Sequence, residues 1–206
     1  MDSSIAKLTE FFGRFPGIGP KQAKRFVFFL LNQDKEVLKN FTTSVMTLKD
    51  NVRQCPDCFR YFTSSNGQTL CDICRDPNRD SSLLMVVEKD IDLDNIRRSG
   101  AYEGKFFILG GTIPLLDHNP YHRIRLKELQ TAIAGRTKAG HLKEIILALS
   151  ANAEGDYTAD RLKEMIDPLI KDTEIKLSTL GRGLSTGSEL EYSDGETIRN
   201  AFLNRH

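Results

Sequence analysis

Two stretches of the chain place acidic residues directly after an apolar run. In LLMVVEKDID the acids are Glu88 and Asp92, and in LALSANAEGDYTA they are Glu154 and Asp156. Carboxylates that follow buried parallel strands meet at one edge of the sheet, and their hard oxygen atoms suit Mg²⁺. The four acids therefore indicate either a site that could hold Mg²⁺ or ordinary solvated side chains at strand ends.

All four cysteines lie in one short segment, CPDCFRYFTSSNGQTLCDIC. Cys55 and Cys58 are separated by two residues, as are Cys71 and Cys74, and twelve residues join the two pairs. Each pair can offer two thiolates to one ion, and four sulfur atoms around Zn²⁺ form a closed tetrahedral site. Such a site has no position for a water molecule, so we expect a structural zinc that holds the segment together. Two disulfides are the alternative, but disulfides are rare in cytoplasmic proteins because the cytoplasm keeps thiols reduced.

The turn FPGIGPK lies between two amphipathic segments near the start of the chain. Gly17 and Gly19 allow a tight turn and the close approach of a phosphate to main-chain N–H groups at the next helix. The following segment carries Lys21, Lys24 and Arg25, with no acidic residue nearby. The pattern predicts a helix-hairpin-helix that binds the DNA backbone without sequence preference, and an ordinary turn is the alternative. One hairpin binds weakly, so we expect several copies in an oligomer.

The apolar periodicity predicts the elements that must position these residues. Three helices come first: SIAKLTEFF, KQAKRFVFFLLNQ and KEVLKNFTTSVMTLKDNV. After the cysteines, four short strands follow: SLLMVVE, KFFILGG, KEIILALS and EIKLSTL. They alternate with the helices DLDNIRRSG, IRLKELQTAIAG, TADRLKEMIDPLI and GETIRNAFLNR. Strand–helix alternation of this kind predicts an α/β fold with a mostly parallel sheet that is covered on both faces.

Composition limits the class of protein further. With 206 residues, of which 39% are hydrophobic, the chain can bury a core, and its net charge is +1. Residues 1–54 hold nine Lys and Arg against five Asp and Glu, whereas residues 80–206 have a net charge of −3. An anionic partner is therefore expected at the front of the chain. No apolar run is long enough for a membrane span, and no signal peptide precedes the helices, so we expect a cytoplasmic protein. The histidines lie far from the cysteines and are interpreted as surface or loop residues: His118, His122, His141 and His206.

In this order, the modules resemble the bacterial RecR recombination mediators. The resemblance covers nearly the whole chain and rests on GRFPGIGPKQAKRF, the cysteine spacing, DICRDPNRD, GKFFILGG, EIILALSANAEGDYTA and GRGLSTGSELEYSDGETI. The chain departs from the family where Ser150, Ala151 and Asn152 replace a frequent Asn-Pro-Thr, and where Asp156 replaces a Glu. These changes leave the acidic residues in place.

The resemblance implies a division of the chain into four parts. Residues 1–54 would form the helix-hairpin-helix DNA-binding module, and residues 55–79 the four-cysteine zinc finger. Residues 80–178 would form a Toprim α/β domain, the fold shared with topoisomerases and primases. Residues 179–206 would form a C-terminal segment that contacts other subunits.

The resemblance also implies a function. It predicts a non-enzymatic DNA-repair mediator in the nucleoid that acts with RecO, and in some settings RecF, to load RecA at single-strand gaps. The protein would bind single- and double-stranded DNA and form a homodimer or a ring-like homotetramer. The DNA backbone would contact Lys21, Lys24 and Arg25, with Gly17 and Gly19 allowing its approach. The protein partner, or a Mg²⁺ ion, would engage Glu88, Asp92, Glu154 and Asp156.

The residues themselves argue against an enzyme. A topoisomerase needs a tyrosine on a further domain, and no GxxxxGK[ST] motif is present to hold a nucleotide. Two other functions remain as alternatives. The first is a minimal Mg²⁺-dependent nuclease or primase-like enzyme, and the second is a zinc-ribbon adaptor that binds proteins but not DNA. The acid-free basic hairpin argues against the adaptor.

Overall fold

A computed structural model of the chain has two compact units, residues 1–52 and residues 53–206. It describes residues 3–64, 67–115, 124–184, 187, 189–203 and 205. Among these residues, no helix is long and apolar enough to cross a membrane.

The first unit contains the three predicted helices: α1 (Ser3–Gly13), α2 (Pro20–Leu31) and α3 (Lys35–Asn51). Helices α1 and α2 pack against each other, with Ala23 and Val27 of α2 buried. The ring of Phe12 contacts the rings of Phe15 and Phe26 edge-on, at centroid distances of 5.8 and 5.6 Å. This small apolar cluster holds the two helices together.

The second unit begins with the cysteine segment. A two-stranded sheet is formed by β1 (Val52–Gln54) and β2 (Tyr61–Thr63), and one helical turn, α4 (Asp72–Arg75), follows. These elements are too short to leave a periodic pattern in the sequence, and apolar periodicity therefore predicts none of them.

The rest of the unit is the expected α/β domain. Its four strands are β3 (Asp80–Val87), β4 (Gly104–Ile108), β5 (Glu144–Ala148) and β6 (Lys176–Thr179). They lie in the order β4-β3-β5-β6, and each neighbouring pair is parallel, which confirms the predicted sheet. The next strand in sequence, β4, lies on one side of β3, whereas β5 lies on the other side. In such a sheet, ligands bind at the carboxyl ends of the two strands where the direction reverses, here β3 and β5.

The connecting helices match the predicted ones to within about three residues at each end, except at the start of one helix. They are α5 (Asp90–Ser99), α6 (Leu126–Lys138), α7 (Ala153–Ile170) and α8 (Gly195–Leu203), with a 3-10 turn at Leu190–Tyr192. Helix α7 begins at Ala153 rather than at the predicted Thr158. The side chain of Asn152 accepts the Gly155 N–H at 2.8 Å and so caps this earlier turn.

The two faces of the sheet bury different partners, because side chains alternate along a strand. Leu84 and Val86 of β3 belong to the core with α6 and α7. Met85 and Val87 point the other way and form a second core with α5 and the cysteines. The cysteine segment is thus part of the hydrophobic core of the α/β unit.

The histidine at position 141 is exposed in the loop before β5, as expected of a surface residue. The other three, His118, His122 and His206, lie outside the described residues.

Candidate functional sites

The four cysteine side chains meet at one point. Their Sγ atoms all lie within 4.8 Å of one another, and Cys55, Cys58 and Cys71 are buried. All four are free thiols, with Cys58 Sγ 3.5 Å from Cys71 Sγ, so the disulfide alternative is not formed. Four sulfurs at about 2.3 Å from a tetrahedral Zn²⁺ are separated by about 3.8 Å, which these distances approach. The group could therefore hold a metal ion such as zinc.

Hydrogen bonds among the four thiols shift their pKa values, and the pattern of these shifts favours a bound cation. The pKa of Cys55 is lowered because the other three thiols donate hydrogen bonds to its sulfur. The pKa values of Cys58 and Cys74 are raised, first of all because their thiols donate to Cys55. A metal ion that displaces these protons would supply the positive charge that four thiolates need.

The two cysteine turns have the local geometry that a metal site requires. At the first turn, the Phe59 N–H donates to the Cys55 carbonyl at 2.9 Å, and Phe59 adopts a φ of +63°. At the second, Cys71 precedes α4 and its sulfur accepts the Cys74 N–H at 3.5 Å. Positive φ is unusual for a bulky residue, so surrounding contacts must hold the first turn in place.

Those contacts come from the sheet and from Arg125, the residue that precedes α6. The ring of Phe59 packs edge-on against Phe107, and the Arg125 guanidinium lies 5.3 Å from the centre of the Phe59 ring. The Ile108 N–H at the end of β4 donates to the Cys58 carbonyl at 2.8 Å. The first cysteine turn is therefore joined by hydrogen bonding to the outer edge of the parallel sheet.

The acidic residues lie at the carboxyl end of the sheet, as the sequence predicted. Glu88 directly follows β3, and Asp92 lies in the first turn of α5. Glu154 and Asp156 lie in the first turn of α7 rather than in a loop after β5, since that helix begins early. Acidic side chains are favoured in the first turn of a helix, where they face its positive end. The four acids therefore surround the end of the sheet where a ligand is expected.

Each carboxylate already has a partner within the chain. Glu88 is 5% exposed, and its Oε1 accepts the Ser150 N–H at 2.6 Å. Asp92 accepts the Lys89 N–H at 2.9 Å, and thereby caps α5. Among the described residues, no three His, Asp or Glu side chains approach one another closely enough to hold a metal as the cysteines do.

The two acids of α7 differ in their surroundings. Glu154 is exposed and accepts a hydrogen bond from the Thr112 hydroxyl at 3.1 Å. Asp156 forms a two-pronged ion pair with Arg182, and that hydrogen bonding lowers the pKa of Asp156. Asp156 and Arg182 also line a cavity of about 560 Å³ that reaches Asn200 in α8. The end of the sheet that carries Glu88, Asp92, Glu154 and Asp156, called the acidic edge below, is thus continuous with the C-terminal part of the chain.

The basic hairpin has the backbone geometry that its glycines predict. Gly17 adopts a φ of +75°, which a residue with a Cβ rarely adopts, and Gly19 precedes α2 as its N-cap. Gly19 has no side chain to accept the N–H groups of the first helical turn, so these remain available to an anion. Open space surrounds both glycines at the position where a Cβ would be.

The cations of the hairpin are exposed on α2. Lys21, Lys24 and Arg25 all face solvent, and α2 contains no acidic residue. Lys24 lies 5.9 Å from the centre of the Phe28 ring, and Arg25 donates to Gln22 at 3.4 Å. None of these contacts neutralises a charge, so the helix presents three cations beside its positive end.

These features define a class of protein: a helix-hairpin-helix unit followed by a Toprim-type α/β unit with a four-cysteine cluster. The family model described as "RecR, helix-hairpin-helix" matches residues 5–47. The model "Toprim domain" matches residues 82–180, and "RecR, C-terminal" matches residues 183–206.

Whole-chain similarity identifies the family within this class. The chain is 36% identical to "Recombination protein RecR" of Paenarthrobacter aurescens (strain TC1), over 99% of the chain and 96% of the relative. It is 35% identical to the protein of the same name from Lactobacillus helveticus (strain DPC 4571), over 98% of the chain and 96% of the relative. It is 37% identical to the protein of the same name from Legionella pneumophila (strain Corby), over 98% of the chain and 96% of the relative. The chain belongs to the RecR family of recombination proteins.

Several residues that shape these sites were not predicted from the sequence. Ser150 supplies the N–H that Glu88 accepts, and Arg182 pairs with Asp156 across 26 positions of sequence. Lys105 is buried beneath α4, although its strand read only as apolar. A lysine inside an apolar strand pattern is the one signal that could have drawn attention to it.

Proposed function

We propose that the protein is a non-enzymatic, DNA-binding mediator of recombination. It acts in the bacterial nucleoid with RecO, and in some settings RecF, to load RecA at single-strand gaps. The observation that carries this proposal is the exposed, acid-free hairpin on the first unit of a chain from a recombination family. In this proposal residues 1–54 bind DNA, 55–79 form the zinc finger, 80–178 recruit the partner and 179–206 contact other subunits.

DNA is bound through the backbone phosphates. The available N–H groups at the start of α2 and the side chains of Lys21, Lys24 and Arg25 all favour an anion and do not read bases. Gly17 and Gly19 allow the DNA backbone to approach the main chain of the hairpin closely. Binding should therefore be similar for single- and double-stranded DNA and should fall steeply with salt.

The test is a double variant, Lys21→Ala with Arg25→Ala, measured by fluorescence anisotropy on labelled DNA at several salt concentrations. Each lost phosphate contact should reduce the slope of log affinity against log salt by roughly 0.9 on duplex DNA. Lys35→Ala with Lys39→Ala removes the same charge from α3 and serves as the control. Equal salt slopes for the two double variants would show that the hairpin is not the DNA site.

The acidic edge is proposed as the surface that binds RecO. Glu154 is exposed there, and Asp92 and Asp156 are half-buried, so a basic partner could reach them, whereas Glu88 supports the edge from beneath. The commitment of each acid to a separate partner within the chain favours a protein surface over a shared Mg²⁺ site. Complementary charge would speed and orient the encounter.

Calorimetric titration with RecO, run beside a nuclease and a primer-synthesis assay, separates this role from catalysis. Glu154→Gln with Asp156→Asn should weaken RecO binding, most clearly at low salt, and leave DNA binding intact or stronger. A Mg²⁺-dependent cleavage or synthesis that the variant abolishes, with unchanged RecO affinity, would instead establish the enzyme alternative.

Zinc is the proposed metal of the four cysteines, one ion per chain, with a structural role. A full set of thiolates leaves no open position for substrate, and the ion would join two turns that pack in the core. Elemental analysis should find one zinc per chain, and Cys58→Ser should lower stability and solubility. If the protein contains no zinc after purification under reducing conditions, the assignment is refuted.

A further inference from the structure

Lys105 lies in β4, and its ammonium group is buried beneath α4. The residue is 8% exposed. Its Nζ donates to three main-chain carbonyls, those of Ile73 at 3.0 Å, Cys74 at 3.2 Å and Asp76 at 2.8 Å. An ammonium group has three donors, so its hydrogen-bonding capacity is fully used.

Among the residues that the structure describes, no carboxylate balances the positive charge of this group. No Asp or Glu oxygen of the described residues forms an ion pair with Lys105. Arg60, a second cation beside the cysteines, differs because it pairs with Asp72 at 2.6 Å and Asp94 at 3.5 Å. Carbonyl dipoles solvate a buried cation but do not neutralise it, so an unpaired charge here is costly unless an anion lies nearby.

The four-cysteine cluster is the anion that the geometry offers. One Zn²⁺ bound by four thiolates carries a net charge of about −2. Cys74, whose carbonyl Lys105 contacts, contributes one of the four sulfurs, and Ile73 directly precedes it. The helical turn that Lys105 caps also holds the Cys71 sulfur at its start. The ammonium group is therefore attached to the segment that carries half of the sulfur ligands.

We propose that Lys105 is a positioning residue of the metal site, which holds the carboxyl end of α4 and balances the charge of the metal–thiolate complex. This inference rests on the proposed zinc at the four cysteines. It gives a buried lysine in a core strand a role that hydrogen bonding alone does not explain. It also predicts that the benefit of the positive charge appears only when the thiolates are formed around a metal.

The test compares zinc affinity, by competition with a chromophoric chelator under reducing conditions, for full-length variants. Lys105→Met removes both charge and donors, and Lys105→Gln removes the charge but keeps two N–H donors. Both should bind zinc roughly 10- to 100-fold more weakly than the unmodified protein, as is usual when a group supporting a metal ligand is lost. Lys176→Met, an exposed lysine of β6, removes the same charge from the same sheet and should not change the affinity.

Thermal unfolding of the metal-free proteins provides the second measurement. If Lys105 balances the complex, Lys105→Met should destabilise the metal-free protein less than the zinc-bound protein, because without the metal only the three hydrogen bonds to main-chain carbonyls are lost. Unchanged zinc affinity in Lys105→Gln would overturn the charge role, and equal destabilisation of metal-free and metal-bound protein would reduce Lys105 to a structural residue. Absence of zinc from the unmodified protein would refute the proposed metal site itself, which is a distinguishable result.

Discussion

At the level of single residues, the carboxylate of Glu88 is an internal hydrogen-bond acceptor. It is buried at the end of β3 and accepts the N–H of Ser150, which begins the turn into α7. Because α7 carries Glu154 and Asp156, Glu88 fixes the turn that presents the two acids of α7. Its contribution to partner binding would then be indirect, through the position of that turn.

Two substitutions at Glu88 separate this role from that of a charged ligand. Glu88→Gln keeps an oxygen acceptor for Ser150 and should retain most of the stability. Glu88→Leu removes the acceptor of the Ser150 N–H and should lower the free energy of unfolding by roughly 0.5–1.5 kcal/mol, measured by urea denaturation. If Glu88→Gln and Glu88→Leu lower the free energy of unfolding equally, the fold needs the negative charge at this position rather than the hydrogen-bond acceptor.

The ion pair between Asp156 and Arg182 predicts a dependence on pH. Hydrogen bonding to Arg182 lowers the pKa of Asp156 in the folded protein. A carboxyl group with a lowered pKa stabilises the folded state above its unfolded pKa of about 4, and this contribution is lost as the pH falls through the folded value. Arg182→Met should therefore raise the pKa of Asp156 and destabilise the protein at neutral pH, by no more than about 1 kcal/mol because the pair is partly exposed.

Carboxyl ¹³C NMR across an acid titration measures that pKa directly, and thermal unfolding at several pH values measures the stability. The difference in stability between the two proteins should shrink as the solution becomes more acidic than about pH 4. Lys138→Met, an exposed residue at the end of α6, is the control and should leave the Asp156 titration unchanged. A normal pKa for Asp156 in the unmodified protein would exclude the ion pair in solution.

Among the elements, the first turn of α7 depends on a glycine between its two acids. A Cβ on Gly155 would lie 2.0 Å from the Ser150 carbonyl oxygen, a main-chain atom that cannot move aside without moving the turn. Gly155→Ala should therefore destabilise the protein by roughly 1–3 kcal/mol despite the better helix propensity of alanine.

Gly135 provides the matched control for that substitution. It lies in α6 with open space around the position of a Cβ, so Gly135→Ala should stabilise the protein by up to about 1 kcal/mol. The two variants are compared by thermal unfolding. Affinity for RecO, the proposed partner, is a second measurement, which a displaced α7 should also lower. Equal gains in stability would mean that α7 does not begin in contact with Ser150.

The same turn illustrates what can and cannot be predicted from the sequence. Apolar periodicity located α6 and the four strands of the parallel sheet, because each buries a regular face. It missed the start of α7, since Ala153 to Tyr157 shows no apolar stripe and Gly155 disfavours a helix. The cysteine spacing predicted a cluster, which is present, but the contact of Glu88 with Ser150 joins residues far apart in sequence, and no local pattern encodes it.

For the whole molecule, the first unit carries an apolar surface that its own helices do not cover. Helix α3 has no buried residue, and it exposes a stripe at helical spacing: Val37, Phe41, Val45 and Leu48. An exposed apolar stripe of this kind is typical of surfaces that contact another protein. We propose that a second copy of the chain covers it, in the homodimer or ring-like homotetramer that would bring several hairpins to one DNA molecule.

The consequence for DNA binding can be tested by weakening the contact between copies. Phe41→Glu places a charge in the stripe and should lower the mass measured by light scattering. Because one hairpin makes few phosphate contacts, losing its neighbours should reduce DNA affinity by a factor of about 10² or more and make the salt slope shallower. Thr43→Glu adds the same charge to an exposed position outside the stripe, so any loss shared by both variants reflects repulsion of DNA. A Phe41→Glu protein of unchanged mass would exclude the stripe as the contact, whereas a smaller species with unchanged DNA affinity and salt slope would show that a single hairpin suffices.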